Sequence, residues 1–202
     1  MEANITSSGK KLFAADAVIL PGVGAFGDAM AALKRLDLVT PLRDIAQSDK
    51  WLIGICLGLQ LLMSESCEFG NHKGLDIIKG QVLPIDNPIQ VNPDGSRTLK
   101  VPQVGWNRVW QTSEKGLNSN TGAKSWEETP MKGVQNGEFM YFVHSYFVKP
   151  ERKDAVISTS VYGQIEFCSS LQYNKIFACQ FHPERSGKQG LKVYENVAEI
   201  IH

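Results

Sequence analysis

Two apolar runs, each broken by a glycine-centred turn that opens a helical pattern, constrain this chain more than any other feature. Asp16-Ala17-Val18-Ile19-Leu20 runs into Pro21-Gly22-Val23-Gly24, and Trp51-Leu52-Ile53-Gly54-Ile55 runs into Cys56-Leu57-Gly58. Continuous apolar character, rather than alternation, is what a strand shows when both its faces are covered, as in the parallel sheets of α/β proteins. Helical spacing follows each turn, first at Met30, Leu33 and Leu36 and then over Leu59–Glu65. From about Gln81 the character becomes β-rich, with strands expected at Gln81–Ile85, Thr98–Val104, Phe139–Val143, Ala155–Ser160, Ile165–Leu171 and Lys175–Phe181, and a closing helix at Gly187–Ile201. The order implies one α/β domain over residues 1–202, a mixed or parallel sheet flanked by helices. The polar stretch 111–138, rich in glycine, serine and asparagine, reads as a surface insertion.

Composition narrows the function classes. Lysine plus arginine equals aspartate plus glutamate at 21 each, so no overall field gathers nucleic acid or an anionic membrane. No apolar run is long enough to span a bilayer, and the start Met1-Glu2-Ala3-Asn4 lacks the basic and apolar regions of a signal peptide, so a cytoplasmic location is expected. The four cysteines, at 56, 67, 168 and 179, form no Cys-x-x-Cys pair and read as reduced thiols, not as a zinc site or a disulfide framework.

The chemistry centres on Gly54-Ile55-Cys56-Leu57-Gly58, a cysteine between a buried strand and a helix. This is the arrangement of a nucleophile elbow. The flanking glycines relieve crowding in the sharp turn, and the adjacent helix N-terminus favours thiolate over thiol. Taken alone, the pattern is as well read as a small buried residue. A base appears far along the chain, where His182-Pro183-Glu184 directly follows an apolar strand. Glu184 is placed to hold one imidazole nitrogen while the other faces the sulfur, which is the logic of a catalytic triad. An oxyanion needs backbone N–H donors. Leu57 N–H supplies one and the Val23–Gly24 region of the first glycine loop a second. That loop lacks the ending of a P-loop and the spacing of a dinucleotide site.

The segments Pro-Gly-Val-Gly-Ala-Phe, Gly-Ile-Cys-Leu-Gly-Leu-Gln, Pro-Gln-Val-Gly-Trp-Asn, Tyr-Phe-Val-His-Ser-Tyr and His-Pro-Glu, in that order, resemble the class I glutamine amidotransferases and in particular the glutaminase subunit of imidazole glycerol phosphate synthase. The resemblance runs from about Ala14 to the C-terminus. It implies a flavodoxin-like sheet, a Cys56–His182–Glu184 triad and hydrolysis of the glutamine side-chain amide through a glutamyl thioester. It implies no metal or organic cofactor. The implied partner is a (β/α)₈-barrel cyclase, forming a heterodimer that uses the ammonia to make imidazole glycerol phosphate and an aminoimidazole carboxamide ribotide in histidine biosynthesis. Gln60 and Glu68 match glutamine-binding positions, with backbone around Ser145 and Tyr146 meeting the substrate carboxylate. Trp106, Tyr141 and Arg185 match positions that face the synthase. Members of the family also carry an early Asp-Tyr-Gly-x-Gly-Asn motif that Met1–Phe13 does not resemble, so the usual first βα unit is expected to be absent.

Overall fold

The structure is a computed structural model that describes residues 2–93, 95–112 and 125–201. After a short helix α1 (Gly9–Ala14), strand β1 (Ala17–Leu20) leads through the first glycine loop into α2 (Phe26–Arg35) and α3 (Val39–Gln47). Strand β2 (Trp51–Ile55) turns sharply at Cys56 into the five-residue helix α4 (Leu57–Leu61). Short strands β3 (Glu65–Ser66), β4 (His72–Lys73) and β5 (Gly80–Pro84) follow, then the hairpin β6 (Ile89–Asn92) and β7 (Gly95–Thr98). The remainder is β8 (Gln103–Gln111), β9 (Glu138–His144), β10 (Tyr146–Pro150), β11 (Val156–Tyr162), β12 (Ile165–Tyr173), β13 (Ile176–Cys179) and α5 (Gly187–Ile201).

The main sheet has the order β1-β2-β13-β12-β11-β8-β9. Only its first three strands run parallel, and from β13 to β9 every pairing is antiparallel. A second sheet, β10-β5-β3-β4, packs beside it. Strand periodicity divides the core between the two faces of the main sheet. Leu52, Ile176 and Ala178 face α2 and α3 together with Phe26, Leu42 and Ile45, whereas Ile53, Ile55, Phe177 and Cys179 face α5 through Val193 and Val197. Among the described residues β1 pairs only with β2 and so forms the sheet's edge, where Ile19 is partly exposed.

Three sequence expectations need correction. The helix expected over Leu59–Glu65 starts and stops earlier, because the 74–78 segment captures its carbonyls. Leu75 N–H donates to Leu61 O, Ile77 N–H to Leu62 O and Asp76 N–H to Met63 O. Gly74 permits that approach, since a Cβ there would lie 2.1 Å from Met63 O. The strand expected over Thr98–Val104 is interrupted between β7 and β8, where Pro102 has no N–H to give a ladder. Finally, the stretch 111–138 is not a surface insertion over its described second half. Trp126, Met131 and Val134 join the core beneath α5, and Trp126 Nε1–H donates to Ile157 O at 2.8 Å. Polar neighbours masked these anchors, and residues 113–124 lie outside the described residues.

His144 is buried in the same region, against the rings of Phe142 and Phe167. Its Nδ1–H donates to Tyr146 O at 2.9 Å, and the Gln103 side-chain amide lies 3.1 Å from Nε2. Burial holds its pKa down to about 4, outweighing the Tyr146 hydrogen bond, which favours the cation. The imidazole is therefore a neutral core element.

This packing has measurable consequences for stability. Trp126→Ala should cost about 3–5 kcal/mol in urea unfolding, as for other large buried aromatics, and a loss below about 1 kcal/mol would put Trp126 on the surface. Because the folded state holds His144 neutral, the unfolded chain binds the extra proton between the ordinary histidine value and about 4. Stability is then full above that window and falls by roughly 3 kcal/mol as pH drops through it. His144→Gln should flatten this slope, and an unchanged slope would mean that other groups set it.

Candidate active site

The parallel pairing of β2 with β13 places the ends of both strands at one edge of the sheet, where loops of α/β proteins gather their ligands. Ile55 pairs with Cys179, and Cys56 N–H donates to Cys179 O at 2.8 Å. Cys56 leaves β2 with φ 52° and ψ −106°, a conformation that a residue with a side chain holds only under constraint from its surroundings. Gly58 makes the turn possible: a Cβ there would stand 1.8 Å from Leu20 O. Gly22, in the loop after β1, packs against the Leu57 side chain, which brings that loop beside the elbow.

His182 follows β13 and is buried, with its N–H on Tyr141 O at 2.9 Å. Its Nδ1 lies 2.7 Å from Glu184 Oε1, an orientation that turns Nε2 away from that carboxylate. That Nε2 is buried and has no hydrogen-bond partner among the described residues. A second oxygen of Glu184 accepts from the Tyr194 hydroxyl at 3.3 Å, and burial, with the neighbouring Glu184 charge, holds that phenol neutral. Ser186 ties the loop down, accepting Tyr141 N–H at 2.9 Å and donating to His182 O at 2.6 Å.

The sulfur of Cys56 sits 3.9 Å from Val143 O and 3.6 Å from Gln180 Nε2, and not in a hydrogen bond to the imidazole. Burial pushes its pKa up to about 11; the Leu57 N–H and the Gln180 amide pull it down by less, and the Glu184 charge adds to the rise. The Leu57 N–H at the start of α4 acts in the expected direction, toward the thiolate, and burial opposes it more strongly. In this state Cys56 holds its proton on the Val143 side.

The remaining expected residues fall around this centre. Gln60 is buried on α4, its Nε2 donating to Tyr146 O at 2.9 Å and to Gln180 Oε1 at 3.2 Å. Tyr146 O is thereby engaged twice, by Gln60 and by His144, and Ser145 O accepts Ile85 N–H. Glu68 accepts Phe26 N–H at 2.5 Å, capping α2, and its charge raises the Tyr146 phenol after the larger effect of desolvation. Leu57 is buried, whereas Val23 is 82% exposed and Gly24 has φ 97° with open space around it. Trp106 and Tyr141 pair across β8 and β9 as an edge-on aromatic contact at 6.1 Å, and the Arg185 guanidinium lies 4.5 Å over the Tyr141 ring. Sequence reasoning did not single out Gln180, His144, Ser186 or Tyr194 for the site. Gln180 and Ser186 lie close to the Phe-His-Pro-Glu segment, and His144 lies within the quoted Tyr-Phe-Val-His-Ser-Tyr segment, and these positions were the signals available.

Comparison with known proteins gives the family. The family model of class I glutamine amidotransferases matches residues 2–199. The chain is 43% identical over 182 residues to the imidazole glycerol phosphate synthase subunit HisH of Aquifex aeolicus, covering 90% of this chain and 76% of that one. It is 39% identical to the HisH subunit of Chlorobaculum tepidum, covering 99% and 89%. Among solved structures, a glutamine amidotransferase superposes with TM-score 0.61 at 14% identity, covering 100% of this chain and 85% of that one. PurLQS from Thermotoga maritima gives 0.60 at 18%, covering 93% and 80%, and both likenesses concern the fold. A strained cysteine elbow beside a carboxylate-held histidine, on a chain of this similarity, leads to one assignment: the chain belongs to the class I glutamine amidotransferases, among the HisH subunits of imidazole glycerol phosphate synthase.

Proposed function

We propose that the chain hydrolyses the side-chain amide of glutamine at Cys56 and supplies the ammonia to a (β/α)₈-barrel cyclase in a heterodimer. The observation that carries this reading is the His182–Glu184 contact at 2.7 Å with a buried, unpartnered Nε2 at the edge shared with Cys56. Nε2 takes the proton from Sγ as the sulfur attacks the amide carbon, and Glu184 stabilises the imidazolium that results. The tetrahedral oxygen takes hydrogen bonds from Leu57 N–H and from the Val23–Gly24 loop. His182 then returns the proton to the leaving nitrogen, so ammonia departs and a glutamyl thioester stays on Cys56. Water, deprotonated by the same Nε2, releases glutamate.

In the same reading Gln60 and Glu68 bind the amino-acid end of glutamine and N–H groups around Ser145 and Tyr146 hold its carboxylate. The Trp106–Tyr141–Arg185 face, exposed at Trp106 and Arg185 and adjacent to His182 through Tyr141, suits a docked cyclase that makes imidazole glycerol phosphate and aminoimidazole carboxamide ribotide. A resting thiol on Val143 O suits an enzyme that stays slow until its partner docks. The free thiols and the lack, among the described residues, of a helix long and apolar enough to cross a membrane fit a cytoplasmic setting.

Glutamate release by the chain with its cyclase and ribotide substrate tests the proposal. Cys56→Ser should abolish it, because the hydroxyl is far less acidic than the thiol, and retained turnover would remove Cys56 from the mechanism. Glu184→Gln should slow release by about a hundredfold or more with the fold intact; an unchanged rate would make Glu184 structural. Ammonium salts should restore synthesis by the complex in both variants, since only the ammonia supply is lost. Failure of that rescue would point to a broken interface.

A further inference from the structure

Gln180 is fully buried at the end of β13 and reaches the nucleophile itself, with its Nε2 3.6 Å from Cys56 Sγ. Which end of the amide faces the sulfur is fixed by a chain of partners that admits one orientation. Tyr146 O accepts and cannot donate, so the Gln60 side chain must turn its NH₂ group toward it. The same Gln60 nitrogen lies 3.2 Å from the Gln180 amide, which must therefore present its oxygen to Gln60. The Gln180 NH₂ is then left pointing at Cys56.

We propose that Gln180 is a positioning residue that donates a hydrogen bond to the Cys56 sulfur and stabilises the thiolate once His182 has taken the proton, with Gln60 holding the amide in the donating orientation. The proposal rests on Cys56 as the nucleophile. A donor helps the proton leave because, while His182 is still neutral, burial and the Glu184 charge both work against the thiolate. Glu184 is the carboxylate felt there, and Cys179 is a second buried thiol beside it that would hold no favourable charge. Apart from Leu57 N–H, the Gln180 amide is the group aimed at the sulfur that favours its anion. A hydrogen bond to an ion gains strength in such a desolvated place. The chain of amides also links substrate seating to the nucleophile, since Gln60 touches both the Tyr146 segment and Gln180.

The test is the pH profile of iodoacetamide alkylation in the full-length chain, read at the Cys56 peptide by mass spectrometry, with the exposed Cys67 as internal standard. Gln180→Met, of similar volume and without a donor, should displace the Cys56 profile upward by about one pH unit and leave that of Cys67 in place. With the cyclase present, its glutaminase kcat should fall about tenfold while KM changes by less than about twofold. Gln60→Met keeps the Gln180 side chain but removes its orienting partner, and should displace the profile in the same direction by a smaller amount. If Gln180→Met does not fold by circular dichroism, the Gln60→Met profile decides. A Cys56 profile unmoved in the folded variants overturns the role of Gln180. Glutamate release that survives Cys56→Ser would instead overturn the nucleophile, whatever the alkylation profiles show.

Discussion

The parallel register between β2 and β13 is the constraint on which the rest of the site depends. With Ile55 opposite Cys179, the Cys56 N–H closes on Cys179 O, and the cysteine and the histidine leave neighbouring strands at the same edge. A slip of one residue would send Leu52 and Ile53 to opposite faces and reverse both halves of the core. The packing that fixes the register is thus the packing that fixes the chemistry. Val193 and Val197 of α5 press on Ile53, Ile55 and Phe177 from one side, while Phe26, Leu42 and Ile45 press on Leu52 and Ala178 from the other. Side chains this closely packed leave little freedom for the elbow to relax from its positive φ.

Around that frame, burial and hydrogen bonding compete at His144 and Cys56. Burial prevails at His144, which stays neutral and serves as a prop for the Tyr146 carbonyl. It also prevails at Cys56, whose thiol is held protonated despite donors from Leu57 and Gln180. His182 is held through one ring nitrogen by Glu184, whose carboxylate is half exposed. The other is left buried and unsatisfied, a state that a protein keeps where a ligand or a moving proton will meet it.

Strand β9 connects these groups to the outside. One edge of its backbone accepts the Cys56 thiol at Val143 and the His182 N–H at Tyr141, and its outward face carries Phe139, Tyr141 and Val143 opposite Arg108, Trp106 and Val104 of β8. Pressure on Trp106 and Tyr141 therefore reaches a strand that touches both Cys56 and His182. Ser186 closes the circuit by bonding Tyr141 and His182 at once. In the proposed complex, this strand is the physical link between the docking face and both residues.

The motifs around Cys56 and His182, and the apolar runs that precede them, were legible in the residues because they depend on local requirements. A tight turn needs Gly54 and Gly58, a buried parallel strand needs continuous apolar side chains, and α5 repeats with helical spacing over the span expected, Gly187–Ile201. The order of the strands, the change from parallel to antiparallel at β13 and the short span of α4 were settled by contacts between distant segments, such as the 74–78 carbonyl clasp. Trp126 looked like part of a polar excursion until Ile157 supplied a partner for its indole N–H. Burial is likewise a property of the folded whole. No single segment shows that the thiol of Cys56 is desolvated or that Gln180 aims its amide at the sulfur, since both follow from which side chains surround them once the sheet has closed. The sequence by itself determined which residues are candidates for the chemistry, and the tertiary structure decided their protonation and their alignment.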